Sequence, residues 1–255
     1  MKRARFDAVT VRRPDLRIPF PRRFTARLAG EMALDVRRRA KYLLVPLSSG
    51  ETLLMHLGMS GSFRVADVPP APGPGRHDHV EFRMSSGAIV TFTDPRRFGF
   101  MDLVAAGALE THPVLSMLGP EPLSPDFTAA SLAAACRGRR TPLKVALLDQ
   151  RVVAGLGNIY AAEALHVARL SPQRQASTLA TASGAPRESA RRLAAAIKQV
   201  LAEAIARQAK TVYRSARFRV YDREAEACRR GRCGGTIARR TQAGRSTFFC
   251  PRCQR

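Results

Sequence analysis

The sequence predicts an α+β chain built from several units, and three observations carry that reading. Short runs rich in β-branched and aromatic residues fill the first hundred positions, apolar residues recur at helical spacing between about 129 and 207, and four cysteines close the chain. With 255 residues the chain can bury a sizeable core and divide into one or two domains plus a small module.

The β part rests on Leu43–Leu47, Thr52–Leu57, His79–Met84 and Ala88–Thr93, separated by the turn triplets Ser48-Ser49-Gly50 and Ser85-Ser86-Gly87. Strands at this spacing predict a sandwich or barrel. The proline- and glycine-rich stretch from Pro69 to Gly75 cannot be regular structure and reads as a loop.

After the proline-rich Leu118–Pro125 the texture becomes helical. Asp126 or Thr128 can cap a helix over 129–137, a second helix fits Pro142 to Asp149, and a third opens at Asn158 and runs to about Val167. Between Glu188 and Arg207, Leu193, Ile197, Val200, Leu201, Ala204 and Ile205 recur on one helical face, with arginines and lysines outside. A basic, partly irregular segment from Gln208 to Phe218 leads into a strand that closes at Tyr221 and Asp222.

Cys228, Cys233, Cys250 and Cys253 pair as C-x4-C and C-x2-C across a span that reads as a β-hairpin. Four thiolates so spaced reach the corners of one tetrahedron, as Zn²⁺ requires. Two disulfides are the alternative. They need an oxidising compartment, and the basic start Met1-Lys2-Arg3-Ala4-Arg5 is followed by no apolar secretory segment, so one structural zinc is the expectation. Cys136, in an alanine-rich helical stretch, is expected to be a small buried apolar residue.

Lysine and arginine number 43 against 20 acidic residues, a formal charge of +23. Self-repulsion on this scale implies a polyanionic partner, usually DNA or RNA. Between the first and last cysteine lie Arg229, Arg230, Arg232, Arg239, Arg240, Arg245 and Arg252 and no acidic residue. No apolar run approaches the length of a membrane span, which excludes an integral helical membrane protein and leaves a soluble one as the expectation.

Three loops carry chemistry. Gly58-Met59-Ser60-Gly61 is a flexible turn with a lone apolar side chain, and Asp94-Pro95-Arg96-Arg97-Phe98-Gly99 sets Phe98 beside two guanidiniums. Apolar side chains flanked by arginines wedge into a base stack while the arginines hold phosphates, although both Met59 and Phe98 also suit core positions at strand ends. Leu156-Gly157-Asn158-Ile159 precedes a helix whose N–H groups, with the Asn158 amide, can hold a phosphate; its glycines equally suit a tight turn between helices.

Taken together, Ala40-Lys-Tyr-Leu-Leu44, His56-Leu-Gly-Met-Ser-Gly-Ser62, His77-Asp-His79, Thr93-Asp-Pro-Arg-Arg-Phe-Gly99, Leu118-Gly-Pro-Glu-Pro-Leu123, Gly155-Leu-Gly-Asn-Ile-Tyr160 and the closing Gln242–Arg255 resemble formamidopyrimidine-DNA glycosylases in content and order, over nearly the whole chain from about Phe6. The resemblance implies an N-terminal β-sandwich over 1–112, a helix-two-turn-helix domain over 113–215 and a zinc finger over 216–255 that together grip bent DNA. It implies a base-excision-repair enzyme that removes oxidised purines from a flipped nucleotide and then cuts the strand as an abasic-site lyase, acting on double-stranded DNA in the bacterial cytoplasm at the nucleoid, as a monomer. By position, Lys41 matches the proton donor for β-elimination and Arg245 that for δ-elimination. His77, Arg96, Arg139 and Asn158 match DNA-binding positions, Met59, Arg96 and Phe98 match the residues that fill the vacated gap, and the four cysteines match the zinc ligands.

The sequence departs from the family in three places. The family's nucleophile is an N-terminal proline amine followed by a glutamate acid, suited to attack because a terminal amine titrates at roughly 7.7–8.0. Here Lys2 and Arg3 follow Met1, which aligns beyond the family's first helix and strand. The chain as written is therefore expected to lack normal glycosylase activity and some cover for its sandwich, and a Pro-Glu start is expected upstream; a non-catalytic damaged-DNA binder is the alternative. The stretch from Gln208 to Tyr221 is shorter than the family's lesion-covering loop, leaving the lesion preference open, and the first cysteine knuckle is C-x4-C rather than C-x2-C.

Overall fold

Ala4–Val11 (β1) buries Ala4 and Phe6 and exposes Arg5 and Asp7, the period-two pattern of a strand with one face in a core. It belongs to the first of two units, Met1–Ser116 and Met117–Arg255, in a computed structural model that describes residues 1–67, 73–208 and 217–255. Most of the loop expected from Pro69 to Gly75, and nearly all of the basic segment expected from Gln208 to Phe218, lie outside the described residues.

The first unit has a short helix Phe24–Leu28 (α1) and two antiparallel sheets. One sheet runs in the order Met32–Ala33 (β2), β1, Asp78–Met84 (β7), Ile89–Thr93 (β8), Ser62–Ala66 (β6). The other runs Arg37–Arg39 (β3), Tyr42–Pro46 (β4), Thr52–His56 (β5), Phe100–Val104 (β9). Phe6, Phe82, Phe92, Val45, Leu53, Met55 and Met101 share one buried cluster, so the unit is a β-sandwich. Each side chain of that size contributes about 1.5–3 kcal/mol by leaving water.

β5 is buried on both faces because Leu54 joins Leu44, Phe100 and Val104 in a second cluster under Pro113–Ser116 (α2). Continuous burial explains why its sequence lacks alternation. The turns at Gly50 and Gly87 need φ of +86° and +85°, which glycine adopts without strain.

In the second unit Ala129–Cys136 (α3) starts at Thr128, whose hydroxyl accepts from the Ser131 N–H while the Ser131 hydroxyl accepts from the Thr128 N–H; Asp126 takes no part. Leu143–Leu148 (α4), Asn158–Val167 (α5), a 3₁₀ turn over Ala176–Leu179 and Glu188–Gln208 (α6) complete the helices. Their core includes Phe127, Leu132, Leu143, Leu147, Leu165, Leu193 and Ile197. Cys136 is fully buried in it, as expected, and burial pushes its thiol up to about 11.

Ala238–Gln242 (β10) and Arg245–Phe249 (β11) form the expected hairpin. It packs through Ile237 and Phe248 on Ala162 of α5 and on Val220. The strand expected to close at Tyr221 and Asp222 does not form over 217–222. The buried Glu163 carboxylate accepts the N–H groups of Arg219, Val220 and Tyr221, so these amides have no strand to pair with. Among the described residues no helix is long and apolar enough to cross a membrane.

Candidate nucleic-acid interface and metal centre

Two loops meet at one end of the sandwich. A Cβ on Gly58 would lie 2.4 Å from the Phe98 carbonyl carbon and 2.5 Å from the Gly99 nitrogen, so only glycine, here at φ +66°, allows the 58–61 turn to touch the 94–99 loop. Asp94, fully buried, binds both loops: its carboxylate accepts the Ser60 hydroxyl and the Gly99 N–H, the latter at 2.8 Å. The Ser60 oxygen in turn accepts the Arg96 N–H at 3.1 Å. His79 contacts the Asp94 carbonyl at 2.9 Å, and the His77 carbonyl accepts the Asp94 N–H at 3.0 Å.

On this fixed base Met59 is 71% exposed and Phe98 43% exposed, which rules out the core reading for both. The Arg96 guanidinium carbon stands 4.6 Å from the Phe98 ring centre, within cation–π range. The fold therefore gathers Met59, His77, Arg96 and Phe98 around one carboxylate and offers two apolar side chains and a guanidinium to a ligand.

Lys41 lies at the β3–β4 turn, exposed, after Ala40 at φ +52°. Tyr42, next along, packs its ring 5.0 Å from that of His56, which lies 5.8 Å from Phe100. Burial, then Lys41 and Arg17, hold the His56 imidazole below its ordinary value, so it is neutral at pH 7. Its Nδ1 accepts the Gly58 N–H at 3.0 Å, tying the β5 end to the Met59 turn.

In the second unit the N-terminus of α5 meets the hairpin. No side chain caps α5, leaving its first-turn N–H groups to a ligand. Asn158 donates from Nδ2 to the Ser246 carbonyl at 3.1 Å, while its Oδ1 is buried without a partner. Lys144 of α4, fully buried, donates to the same carbonyl at 3.0 Å and to the Thr247 hydroxyl at 2.7 Å. These bonds pin the residues after Arg245, which is exposed beside the hairpin turn at Ala243 and Gly244, both at positive φ. Burial, then the Arg245 charge, push the Lys144 ammonium down to about 8. Arg139 is not joined to this cluster: it donates to Asp149 at 2.8 Å, a carboxylate also clasped by Arg151 and held well below its usual range by Arg151 first and Arg139 next.

Sequence reasoning missed Lys144, Asp94 and His56. The first sits in an apolar run where a single lysine reads as the solvent face. Asp94 was visible inside its motif, where its proline and the glycine at 99 hinted at a fixed turn.

The four cysteine sulfurs lie within 4.8 Å of one another, with Cys228 to Cys253 at 3.9 Å and Cys233 to Cys250 at 3.6 Å. Tetrahedral zinc with bonds of ~2.3 Å needs sulfur separations of about 3.8 Å, whereas a disulfide needs about 2.05 Å. The site fits zinc, and the C-x4-C knuckle reaches the same tetrahedron. His166, at the end of α5, places Nε2 3.3 Å from the Cys228 sulfur, an outer hydrogen bond to a thiolate ligand.

A zinc-stapled hairpin with an uncapped helix end, and a sandwich presenting apolar wedges beside arginine, define a DNA-binding protein that works on distorted duplex. Three family models match: the formamidopyrimidine-DNA glycosylase N-terminal domain over 1–101, the formamidopyrimidine-DNA glycosylase H2TH domain over 118–215, and the zinc finger found in FPG and IleRS over 226–255. The formamidopyrimidine-DNA glycosylase of Bradyrhizobium diazoefficiens is 52% identical and that of Rhodopseudomonas palustris 53%, each across the whole of this chain and 94% of the relative. Among solved structures, the MutM (Fpg) protein of Thermus thermophilus superposes with a TM-score of 0.83 at 38% identity, over all of this chain and 92% of that one. Lactococcus lactis Fpg in complex with DNA containing FAPY-dG gives 0.85 at 28%, over 99% and 93%. The chain belongs to the formamidopyrimidine-DNA glycosylase family, and Cys228, Cys233, Cys250 and Cys253 hold one structural zinc ion.

Proposed function

We propose that this protein is a base-excision-repair DNA glycosylase that releases oxidised purines, formamidopyrimidine and 8-oxoguanine, from double-stranded DNA and then cleaves the abasic site by β,δ-elimination. The observation that carries the reading is the pair of exposed side chains Met59 and Phe98, fixed beside Arg96 by buried Asp94. The glycosidic carbon cannot be reached inside the stack, so the nucleotide must be extruded, and wedges of this kind fill the gap it leaves.

In this reading Met59, Arg96 and Phe98 occupy the vacated space, and His77, Arg96, Arg139 and Asn158 hold the backbone. Lys41 serves β-elimination and Arg245 δ-elimination. Lys2 and Arg3 match neither the proline nor the glutamate of the family's attacking pair, so the reaction is tested with that pair supplied. The zinc keeps the hairpin, and with it Arg245, in place. A non-catalytic damage binder is the weaker reading, since relatives 52–53% identical over the whole chain carry the glycosylase name. In this reading the protein works on duplex DNA as a monomer, at the bacterial nucleoid.

The test is strand cleavage of a duplex carrying one 8-oxoguanine, by the chain preceded by a Pro-Glu start. The expected product has lost the sugar; Lys41→Ala slows its formation and Arg245→Ala stops at the β-elimination product. Identical products and rates from parent and both variants would remove the assigned roles.

A further inference from the structure

At the zinc end of the second unit, Arg169, Arg192, Arg230, Arg232, Arg252 and Arg255 line one cavity of about 460 Å³. Arg192 also lines a neighbouring cavity of about 800 Å³ with Arg174 and Arg187, where the hydroxyls of Ser177, Thr178 and Ser189 add donors. The two cups thus form a continuous belt, eight arginines long, across α6, the 3₁₀ turn and the cysteine knuckles.

Backbone carbonyls and a hydroxyl hold several of the guanidiniums, while Arg230 also hydrogen-bonds to the zinc ligand Cys253 and Arg174 to the Arg255 main-chain oxygen at 3.4 Å. Arg230 donates to the His166 carbonyl at the end of α5, Arg252 to the Gly234 carbonyl at 3.0 Å, Arg187 to the Ala180 carbonyl at 3.0 Å and Arg174 to the Thr178 hydroxyl at 2.8 Å. Among the described residues none of the eight pairs with a carboxylate side chain, and Glu188, which lines the second cup, pairs with Arg191 instead. The arginines therefore repel one another: burial, then Arg192 and Arg187, lower the Arg174 value, a cost that a bound anion removes.

Position separates the belt from the hairpin tip. β10 and β11 pair from Ala238↔Phe249 at the cysteine end to Gln242↔Arg245 at the turn, four residue steps or about 13 Å at ~3.3 Å per residue. α5 runs alongside, with Asn158 at the Ser246 end and His166 at the Arg230 end. Toward the other side the belt reaches Ser177, whose N–H donates to the Arg139 carbonyl at 2.9 Å.

We propose that this belt binds the sugar–phosphate backbone of DNA flanking the segment held at Asn158 and Arg245, a second phosphate track on the same unit. Apart from Ala180 and the Glu188 carboxylate, which pairs with Arg191, the lining is guanidinium, hydroxyl, glycine and cysteine, which suits a repeating phosphate rather than an acidic peptide. The proposal rests on the DNA-binding reading above and extends it.

The test compares Arg169→Gln/Arg192→Gln/Arg232→Gln with the parent on an abasic duplex of about one helical turn, ~10 base pairs, and on one three turns long. These three side chains hold no hydrogen bond within the described residues, so zinc content stays at the parent value and the melting temperature does not fall. On the long duplex the variant loses roughly tenfold or more in affinity near 0.1 M salt, and its log–log salt slope is less steep by about 0.9 for each lost phosphate contact. On the short duplex the two proteins bind alike. Equal loss on both duplexes, or no loss on either, overturns the flanking track. Failure of the parent itself to bind the short duplex strikes the underlying DNA reading instead.

Discussion

The Ser60 hydroxyl donates to the buried carboxylate of Asp94, so the turn carrying Met59 and the loop carrying Phe98 share one anchor. Asp94 also accepts the Gly99 N–H, and the Ser60 oxygen accepts the Arg96 N–H, which makes the wedge a single rigid piece. Asp94→Ala leaves the buried Gly99 N–H without its acceptor, at about 1–3 kcal/mol, and frees the half-buried Ser60 hydroxyl. The melting temperature is expected to fall, and cleavage of lesion DNA to fall with it. Ser60→Ala keeps the Gly99 bond and is expected to lose cleavage rate with a smaller change in melting.

Phe98 behaves oppositely. It is 43% exposed, so Phe98→Ala is expected to change stability by no more than about 0.5 kcal/mol. Cleavage of duplex DNA should drop by an order of magnitude or more, whereas binding to single-stranded DNA, which needs no wedge, should hardly change. Chemical denaturation beside a cleavage time course checks the split.

Zinc removal should act on the second unit alone. The hairpin packs on α5 through a small cluster, Ile237, Phe248 and Val220, that includes Cys233 and Cys250. A module this small needs its metal to stay folded. Chelation, or Cys250→Ser, is expected to unfold the hairpin, expose Tyr221 and Phe248 and abolish duplex binding, with the sandwich's own unfolding transition unchanged. A zinc indicator follows metal release, tyrosine fluorescence the unfolding, and a labelled duplex the loss of binding.

Lys144 gives a pH dependence of fixed sign. Its folded value of about 8 lies below the unfolded value near 10.4. Between these limits the unfolded chain binds the extra proton, so stability rises with pH from about 8 toward 10 and this contribution is flat below 8. Lys144→Met removes that rise and leaves the Ser246 carbonyl and Thr247 hydroxyl short of a donor, at about 1–3 kcal/mol. Melting curves at pH 7 and pH 9.5 for parent and variant test both statements.

Much of this was legible in the residues, for identifiable reasons. The cysteines announce their tetrahedron by spacing, and Gly58, Gly50 and Gly87 mark turns that require positive φ. Thr128, Asn158 and the apolar face of α6 set helix bounds close to those found. β1 stayed hidden because arginine and aspartate occupy its outward positions, and β9 because it follows directly on the Arg-Arg-Phe loop. The anchors were least visible. Asp94, Lys144 and Glu163 act on backbone groups up to about a hundred residues away, and only the fold shows which buried polar group meets which partner. Tyr221 and Asp222 read as the close of a strand, and Glu163 claims the amides that a strand would have used.

Borohydride trapping on an abasic-site duplex decides whether the protein is a lyase, because it captures the imine between enzyme amine and sugar. With a Pro-Glu start supplied ahead of the chain, a covalent protein–DNA adduct is expected, and it is lost in Asp94→Ala and on zinc removal. A protein that binds the same duplex tightly, holds its zinc and yields no adduct would contradict it.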